Sequence, residues 1–145
     1  MNLKTLSLLA LVGLVPCLAV LYLNHALFAT GPITIAIQII AALLMLWARI
    51  TFGIRSFHGT ANPTEGGLVT TGPYRYIRHP IYAAILYFSW AGIAANLSVT
   101  AAVLGLCVTG LTAVRIFAEE RLLVTMYPEY AEYARTAKRV IPFVL

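Results

Sequence analysis

The sequence predicts an all-α integral membrane protein with about four transmembrane helices, the last two a tight hairpin, followed by a cytoplasmic C-terminal helical subdomain. Of its 145 residues, 61% are hydrophobic and only 10% are charged, whereas soluble domains carry about 25% charged residues. The mean hydropathy is +0.87. Apolar runs cover about residues 5–28, 33–54, 81–95 and 98–117, and one transmembrane helix needs about 20 mostly apolar residues.

The first apolar run has two interpretations. It resembles a secretory signal peptide, because Lys4 precedes it and Cys17 lies where a lipoprotein cysteine would lie. Pro16, directly before that cysteine, and the apolar sequence that continues to Tyr22 favour an uncleaved first span. We therefore predict that this run crosses the membrane.

The distribution of basic residues predicts the orientation of the helices. The connections 29–32 and 94–98 carry no Lys or Arg, whereas Lys4, the segment 49–80 and the region from Arg115 onward carry all ten. Basic residues collect on the cytoplasmic side of membrane proteins, so both termini are expected to be cytoplasmic. The formal net charge of +5 is explained in the same way, and we expect no nucleic-acid partner.

One domain is expected over the whole chain, because the length leaves no room for a soluble second domain beside the spans. We divide it into two N-terminal spans at 1–54, a cytoplasmic connection at 55–80, a helical hairpin at 81–117 and cytoplasmic helices at 118–145. The helix that contains Arg115 should continue to about Thr125, and Pro128 should start a second, short helix.

Neither the cysteines nor the histidines are spaced as metal ligands. Cys17 and Cys107 lie in separate apolar runs without a CxxC pattern, and His25, His58 and His79 are far apart along the chain. Structural metal sites use closely spaced pairs of such residues. The sequence therefore predicts no metal site.

The stretch 72-GPYRYIRHPIY-82 combines basic, aromatic and proline residues at the start of the third apolar run. Pro73 suits the first position of a short helical turn, and Pro80 suits the first position of the third span. Neither position needs the N–H that proline lacks. The sequence thus predicts a turn that is fixed at both ends.

If that turn is helical, Tyr74 shares a face with Arg78, and Arg75 shares a face with His79, because residues four apart are neighbours on a helix. Taken alone, the stretch favours an anchor at the membrane surface. In an anchor of this kind, arginines pair with lipid phosphates and tyrosines lie at the interface.

The segment 115-RIFAEER-121 is the second candidate site. Arg115 and Glu119 are four apart, and Glu119 lies in line with Ile116 and Leu123 on the apolar stripe of the helix. Ionisable residues at membrane depth usually face a cavity or a partner; the alternative is an ion pair that only closes the helix end. Together with the turn, the segment predicts a pocket for a zwitterionic ligand, whose carboxylate would bind arginine and whose ammonium would bind glutamate.

Two motifs in this order, GPYRYIRHPIYAA and later EERLL followed by YPEYAEYARTAKRVIP, resemble the isoprenylcysteine carboxyl methyltransferase family, which is similar to the phospholipid N-methyltransferases. The resemblance runs from about Gly67 to Pro142. It implies an integral-membrane enzyme that uses S-adenosyl-L-methionine, with its catalytic subdomain on the cytoplasmic side.

The resemblance also implies roles for individual residues. Arg115 would face the methyl acceptor, and Glu120 matches the second acid of the family's glutamate pair. The residues that would contact the cofactor, partly through their main chain, are Leu68, Val69, Tyr74, Arg78, His79, Pro80, Ile81, Tyr82 and Glu119. Ala84 departs from the family pattern, which has glycine there, and its methyl group narrows any close approach of the backbone.

The acceptor is expected to be lipid-like, because the site lies where the third and fourth spans meet the membrane surface and its lipids. Carboxyl methylation of an isoprenylcysteine-like substrate is favoured. Methylation of an amine, as in phospholipid N-methyltransferases, is the second choice and would need a base such as Glu120 or His79. Two other classes stay open: an NADPH-dependent enzyme like the sterol reductases, and a non-enzymatic subunit that binds anionic headgroups.

Overall fold

The computed structural model describes residues 2–53 and 67–142 and is all-helical there, as predicted. The five α-helices are α1 (Leu3–Leu23), α2 (Pro32–Phe52), α3 (Pro80–Ala95), α4 (Val99–Met126) and α5 (Tyr130–Thr136). A short 3-10 helix, Gly72–Arg75, precedes α3. Residues 54–66 of the predicted cytoplasmic connection, including His58, lie outside the described residues.

Three helices, α1, α2 and α4, are long and apolar enough to cross a membrane, with mean hydropathies of 2.5, 2.1 and 1.9. The fourth predicted span, α3, has 16 residues. At about 1.5 Å per residue it is about 24 Å long, shorter than a hydrocarbon core of about 30 Å. The described residues therefore contain three candidate spans, and a fourth crossing by α3 stays a prediction.

The connection between α1 and α2 covers one end of α3. The first apolar run was predicted to continue to residue 28, but α1 ends at Leu23 and the chain folds back, with the Ala26 side chain buried. Asn96, which caps α3, donates a hydrogen bond of 2.8 Å to the Phe28 carbonyl. Backbone groups outside a helix need partners of this kind from the protein or from water.

Gln38 on α2 supplies three more such partners. Its side chain donates to the carbonyls of Leu27 at 2.8 Å and Phe88 at 3.0 Å and accepts from the Ala29 N–H at 3.0 Å.

Replacing Gln38 with leucine should destabilise the fold by about 2 kcal/mol, since a net hydrogen bond contributes about 0.5–1.5 kcal/mol. Melting temperatures in detergent test this, with Ile39→Leu on the exposed face as control; equal values for the two variants would contradict it.

Packing between the helices does not follow chain order. Residues 96–98 alone join α3 to α4, which is the short connection of the predicted hairpin. The most extensive packing nevertheless pairs α1 with α4 and α2 with α3. The buried core includes Leu14, Leu21, Ile93 and Val108, and it lies on the side of the bundle toward the 24–31 connection.

The C-terminal part of α4 extends beyond the predicted fourth run. With 28 residues, α4 is about 42 Å long and exceeds the hydrocarbon core, so its last turns carry charged residues. It ends at Met126, close to the predicted end, because the residue before a proline disfavours helix and Tyr127 precedes Pro128. The prediction that Pro128 starts the next helix is wrong by two residues: Pro128 lies in a turn, and α5 begins at Tyr130.

Candidate functional site

Six of the sequence-predicted site residues meet at the end of the bundle where α1 and α3 begin. They come from the segment before α3, the first turn of α3 and the C-terminal half of α4. We call them the charged cluster: Arg78, His79, Tyr82, Arg115, Glu119 and Glu120. His79 and Arg115 are only 5% and 4% exposed. Buried charges persist only where they have partners, and the contacts of each group show what it can do.

Pro80 lies where it was predicted, and Pro73 lies one position later in its helical turn than predicted. Pro73 is in the first turn of the 3-10 helix, and Pro80 is the first residue of α3. Gly72 has a φ of +58°, and a Cβ there would lie 2.6 Å from Thr51 Oγ1 on α2. Glycine therefore allows the turn to pack directly against α2.

The helical pairing of Tyr74 with Arg78 and of Arg75 with His79 is wrong. The 3-10 helix ends at Arg75, so residues four apart across its end do not share a helical face. Tyr74 instead packs its ring against Phe52 on α2, with the ring centroids 5.5 Å apart.

The main chain of Arg78 and His79 pairs with residues 137–140, which we call the C-terminal strap. The Arg78 N–H donates to the Lys138 carbonyl at 2.6 Å, and the His79 N–H donates to the Arg139 carbonyl at 3.0 Å. Main-chain hydrogen bonds of this kind hold a segment in place regardless of its side chains. The strap therefore fixes the backbone from which the two cluster side chains extend.

The His79 ring lies between the two carboxylates. Its Nδ1 is 3.7 Å from Glu119 Oε2, and its Nε2 is 3.4 Å from Glu120 Oε1. The ring also packs on Tyr82, with centroids 5.8 Å apart. A neutral imidazole donates from one nitrogen and an imidazolium from both, so His79 can donate to both carboxylates only when both ring nitrogens carry a proton.

Glu120 joins the turn, α4 and the strap. It accepts from Arg78 Nη2 at 3.0 Å and from Arg139 Nε at 3.1 Å, in addition to its contact with His79. The Arg139 side chain is 54% exposed and was not predicted as a site residue. Because both oxygens of Glu120 already have donors, this carboxylate is a positioning group in the described structure.

Glu119 is the more open of the two carboxylates, with 24% of its side chain exposed against 16% for Glu120. Its Oε1 accepts a short hydrogen bond from the Tyr82 hydroxyl. Its Oε2 is 3.7 Å from His79 Nδ1, which is longer than a normal hydrogen bond. Glu119 Oε2 is thus the cluster oxygen best placed to receive a cation from outside.

Arg115 ties the cluster to α1. Its Nε donates to the Tyr82 hydroxyl at 3.0 Å, its Nη1 donates to the Ser7 carbonyl at 2.9 Å, and its Nη2 is 3.7 Å from Glu119. The predicted pair of residues 115 and 119 is confirmed by this last contact. Arg115 is 4% exposed, and a buried charge needs partners. Because each guanidinium nitrogen has a protein partner, a contact of Arg115 with an acceptor stays a prediction.

Three other predicted residues, all apolar, lie in the segment before the 3-10 helix or on the first turn of α3. Leu68 and Val69 are half-buried in the segment that leads into the turn, and Ile81 is half-buried on the first turn of α3. Their side chains carry no polar groups, so a contact of these residues with the cofactor, partly through the main chain, stays a prediction. Ala84, where the family pattern has glycine, is 2% exposed, so its methyl group is already accommodated in the packing.

Tyrosines of α5 hold this helix against the turn. Tyr130 is 2% exposed, and the Tyr133 hydroxyl donates to the Tyr74 carbonyl at 2.6 Å. The rings of Tyr130 and Tyr133 are in edge contact, with centroids 5.9 Å apart. Burial raises the pKa of the Tyr133 phenol, so it remains a neutral hydrogen-bond donor.

Comparison with known proteins finds one matching family and a similar bacterial protein. The family model of the isoprenylcysteine carboxyl methyltransferases matches residues 33–125, well over half of the chain and including the whole charged cluster. The cobalt-zinc-cadmium resistance protein CzcN of Cupriavidus metallidurans is 39% identical over 77 residues, which are 52% of this chain and 35% of that protein. The chain thus matches about a third of that relative's length. No solved structure matches.

Proposed function

Because this chain belongs to the isoprenylcysteine carboxyl methyltransferase family, we propose that it is a membrane methyltransferase that uses S-adenosyl-L-methionine. The acceptor is lipid-like and carries a carboxylate, as an isoprenylcysteine does. The reaction takes place at the cytoplasmic face, with both termini on that side, as the basic residues around the cluster favour. The observation that carries the proposal is the charged cluster, which joins the family's two motifs.

The side chains present fit this cofactor. S-Adenosyl-L-methionine carries an ammonium, a sulfonium and a carboxylate. Glu119 Oε2 can receive the ammonium, because its nearest donor is 3.7 Å away. Arg78 Nε is buried and has no hydrogen-bond partner among the described residues, and a buried donor without a partner costs about 1–3 kcal/mol. A ligand carboxylate would remove that cost.

The arrangement favours a carboxylate acceptor over an amine. The cofactor supplies an electrophilic methyl group, and transfer to a carboxylate oxygen requires alignment and exclusion of water but no base. An amine that arrives as ammonium must lose a proton. The two candidate bases, His79 and Glu120, are 3.4 Å apart in contact with each other, and Glu120 also holds two arginines. Neither candidate base is therefore free of other partners, which favours a reaction that needs no base.

A lipid tail has space next to the cluster. An apolar cavity of about 320 Å³ lies where α1, α2 and α3 meet, and its wall includes Met45, Ala84, Ile85 and Phe88. Ile85 is one helical turn from Tyr82 of the cluster on α3, so the two are near neighbours on that helix. A chain in this cavity would place its polar end toward the cluster. This supports a lipid-like acceptor in particular.

Cofactor binding tests the proposed class. Purified protein in detergent should bind tritiated S-adenosyl-L-methionine and show no binding of NADPH measured side by side. NADPH binding alone would support a sterol-reductase-like enzyme and overturn the proposal. A membrane lipid extract incubated with deuterated-methyl cofactor should then yield a methyl ester in mass spectra, whereas a methylated amine headgroup would indicate a phospholipid-type N-methyltransferase.

A further inference from the structure

The Tyr130 hydroxyl is a buried polar group that has no hydrogen-bond partner in the described part of the chain. Its residue is 2% exposed, so solvent does not replace the missing partner. Buried hydroxyls in proteins are nearly always hydrogen-bonded. Arg78 Nε is a second buried donor without a hydrogen-bond partner among the described residues. Two unpaired donors at one site indicate a ligand with acceptor atoms.

Both donors belong to the same part of the site. Arg78 donates from Nη1 to the Ala134 carbonyl at 3.0 Å, and Ala134 is one turn beyond Tyr130 on α5. Its Nη2 pairs with Glu120 at 3.0 Å, which leaves Nε unused. Burial raises the pKa of the Tyr130 phenol, the nearby charge of Glu120 raises it further, and Arg78 opposes the rise. The phenol is therefore neutral and can donate.

The charged side chains around these donors carry one more positive charge than negative charges. Arg78, Arg115 and Arg139 carry three positive charges, while Glu119 and Glu120 carry two negative charges. The Tyr130 hydroxyl does not use Glu120 as its acceptor, although that carboxylate accepts from Arg78 and Arg139. A ligand with one anionic group would complete both the hydrogen bonds and the charge balance.

We infer that the Tyr130 hydroxyl and Arg78 Nε together bind a ligand carboxylate. Two donors, one of them charged, match the two oxygens of such a group. The inference rests on the proposed function, which offers two carboxylates: one on the methionyl part of the cofactor and one on the acceptor. Tyr130 is then a binding residue in addition to those that the sequence predicted.

The test compares Tyr130→Phe with Tyr76→Phe, a control at a 48% exposed tyrosine. The probes are S-adenosylhomocysteine, its decarboxylated analogue, a farnesylated cysteine with a free carboxylate, and the methyl ester of that cysteine. A lost hydrogen bond to a charged group should weaken binding roughly tenfold or more. If S-adenosylhomocysteine is weakened and its decarboxylated analogue is not, the pair binds the cofactor carboxylate. If only the free farnesylcysteine is weakened, the pair binds the acceptor carboxylate.

Unchanged affinity for both carboxylate probes would overturn the inference, as would an equal loss for the probes with and without a carboxylate. If the wild-type protein binds neither S-adenosylhomocysteine nor its analogue, the proposed function itself fails, and this result is distinct from the others. The melting temperature shows whether Tyr130→Phe is folded. If it is not, Arg78→Lys keeps the positive charge, removes Nε and is expected to give the same selective loss.

Discussion

Replacing Glu119 with glutamine should weaken S-adenosylhomocysteine binding by roughly 30- to 1,000-fold and abolish methyl transfer, because removing one partner of a buried charge pair costs about 2–4 kcal/mol. Glu119 is the more open carboxylate of the cluster, and its Oε2 is 3.7 Å from the nearest donor, on His79. A neutral amide cannot form an ion pair with a ligand ammonium. It also leaves Arg115 without its carboxylate partner.

Titration calorimetry of detergent-purified protein measures the effect. Glu132→Gln is the matched control, because Glu132 is an exposed glutamate on α5 outside the cluster. Melting temperatures of both variants show whether Glu119→Gln is still folded. A dissociation constant within threefold of the wild-type value, in a folded variant, would remove Glu119 from the binding site and would weaken the assignment of the cluster as the cofactor site.

The features of this site that involve residues close together along the chain could be predicted from the sequence. Pro73 and Pro80 fix the turn because their rings restrict the local backbone; Pro80 lies where expected and Pro73 one position later. Arg115 and Glu119 meet because a helix brings residues four apart onto one face. These features need only the local conformation, which the sequence pattern indicates directly.

Contacts between distant segments could not be predicted in this way. The strap pairs Lys138 and Arg139 with Arg78 and His79 through main-chain atoms, and main-chain hydrogen bonds leave no mark in the side-chain pattern. The same is true of the bond from Arg115 to the Ser7 carbonyl. The family resemblance assigned different roles to Glu119 and Glu120, but the residue pattern could not show that Glu120 already has donors on both oxygens while Glu119 Oε2 is 3.7 Å from its nearest one.

The end of α1 shows how hydropathy can mislead. The first apolar run continues to residue 28, but Leu23 is the last helical residue, and His25 has a φ of +56°. Such a backbone ends a helix, and of the apolar residues after it Ala26 is buried in the core whereas Phe28 is 56% exposed. Hydropathy records that these residues avoid water, and it does not distinguish a helix from a loop.

Replacing Gly92 with alanine should destabilise the protein by about 3 kcal/mol or more, because overpacking a tight contact costs about 1–3 kcal/mol and more when nothing can move aside. A Cβ at this position of α3 would lie 2.1 Å from the Leu27 carbonyl oxygen and 2.7 Å from that of Ala26. Both atoms are main chain, so no side-chain rotation relieves the clash. The control is Gly110→Ala on α4, where a Cβ would have nothing within 4 Å.

In detergent, the melting temperature of Gly92→Ala should be well below that of Gly110→Ala. Similar melting temperatures would show that the 24–31 connection does not pack as described.

We expect that connection, rather than α3, to move in the Gly92→Ala variant. α3 is held at its other end by the contacts of Tyr82 with Arg115 and Glu119. Position 92 is about 15 Å along α3 from Tyr82, so the cluster should keep its geometry. The folded fraction of Gly92→Ala should therefore bind S-adenosylhomocysteine within about threefold of the wild-type affinity, a difference of about 0.7 kcal/mol, and a larger loss would mean that α3 itself had shifted.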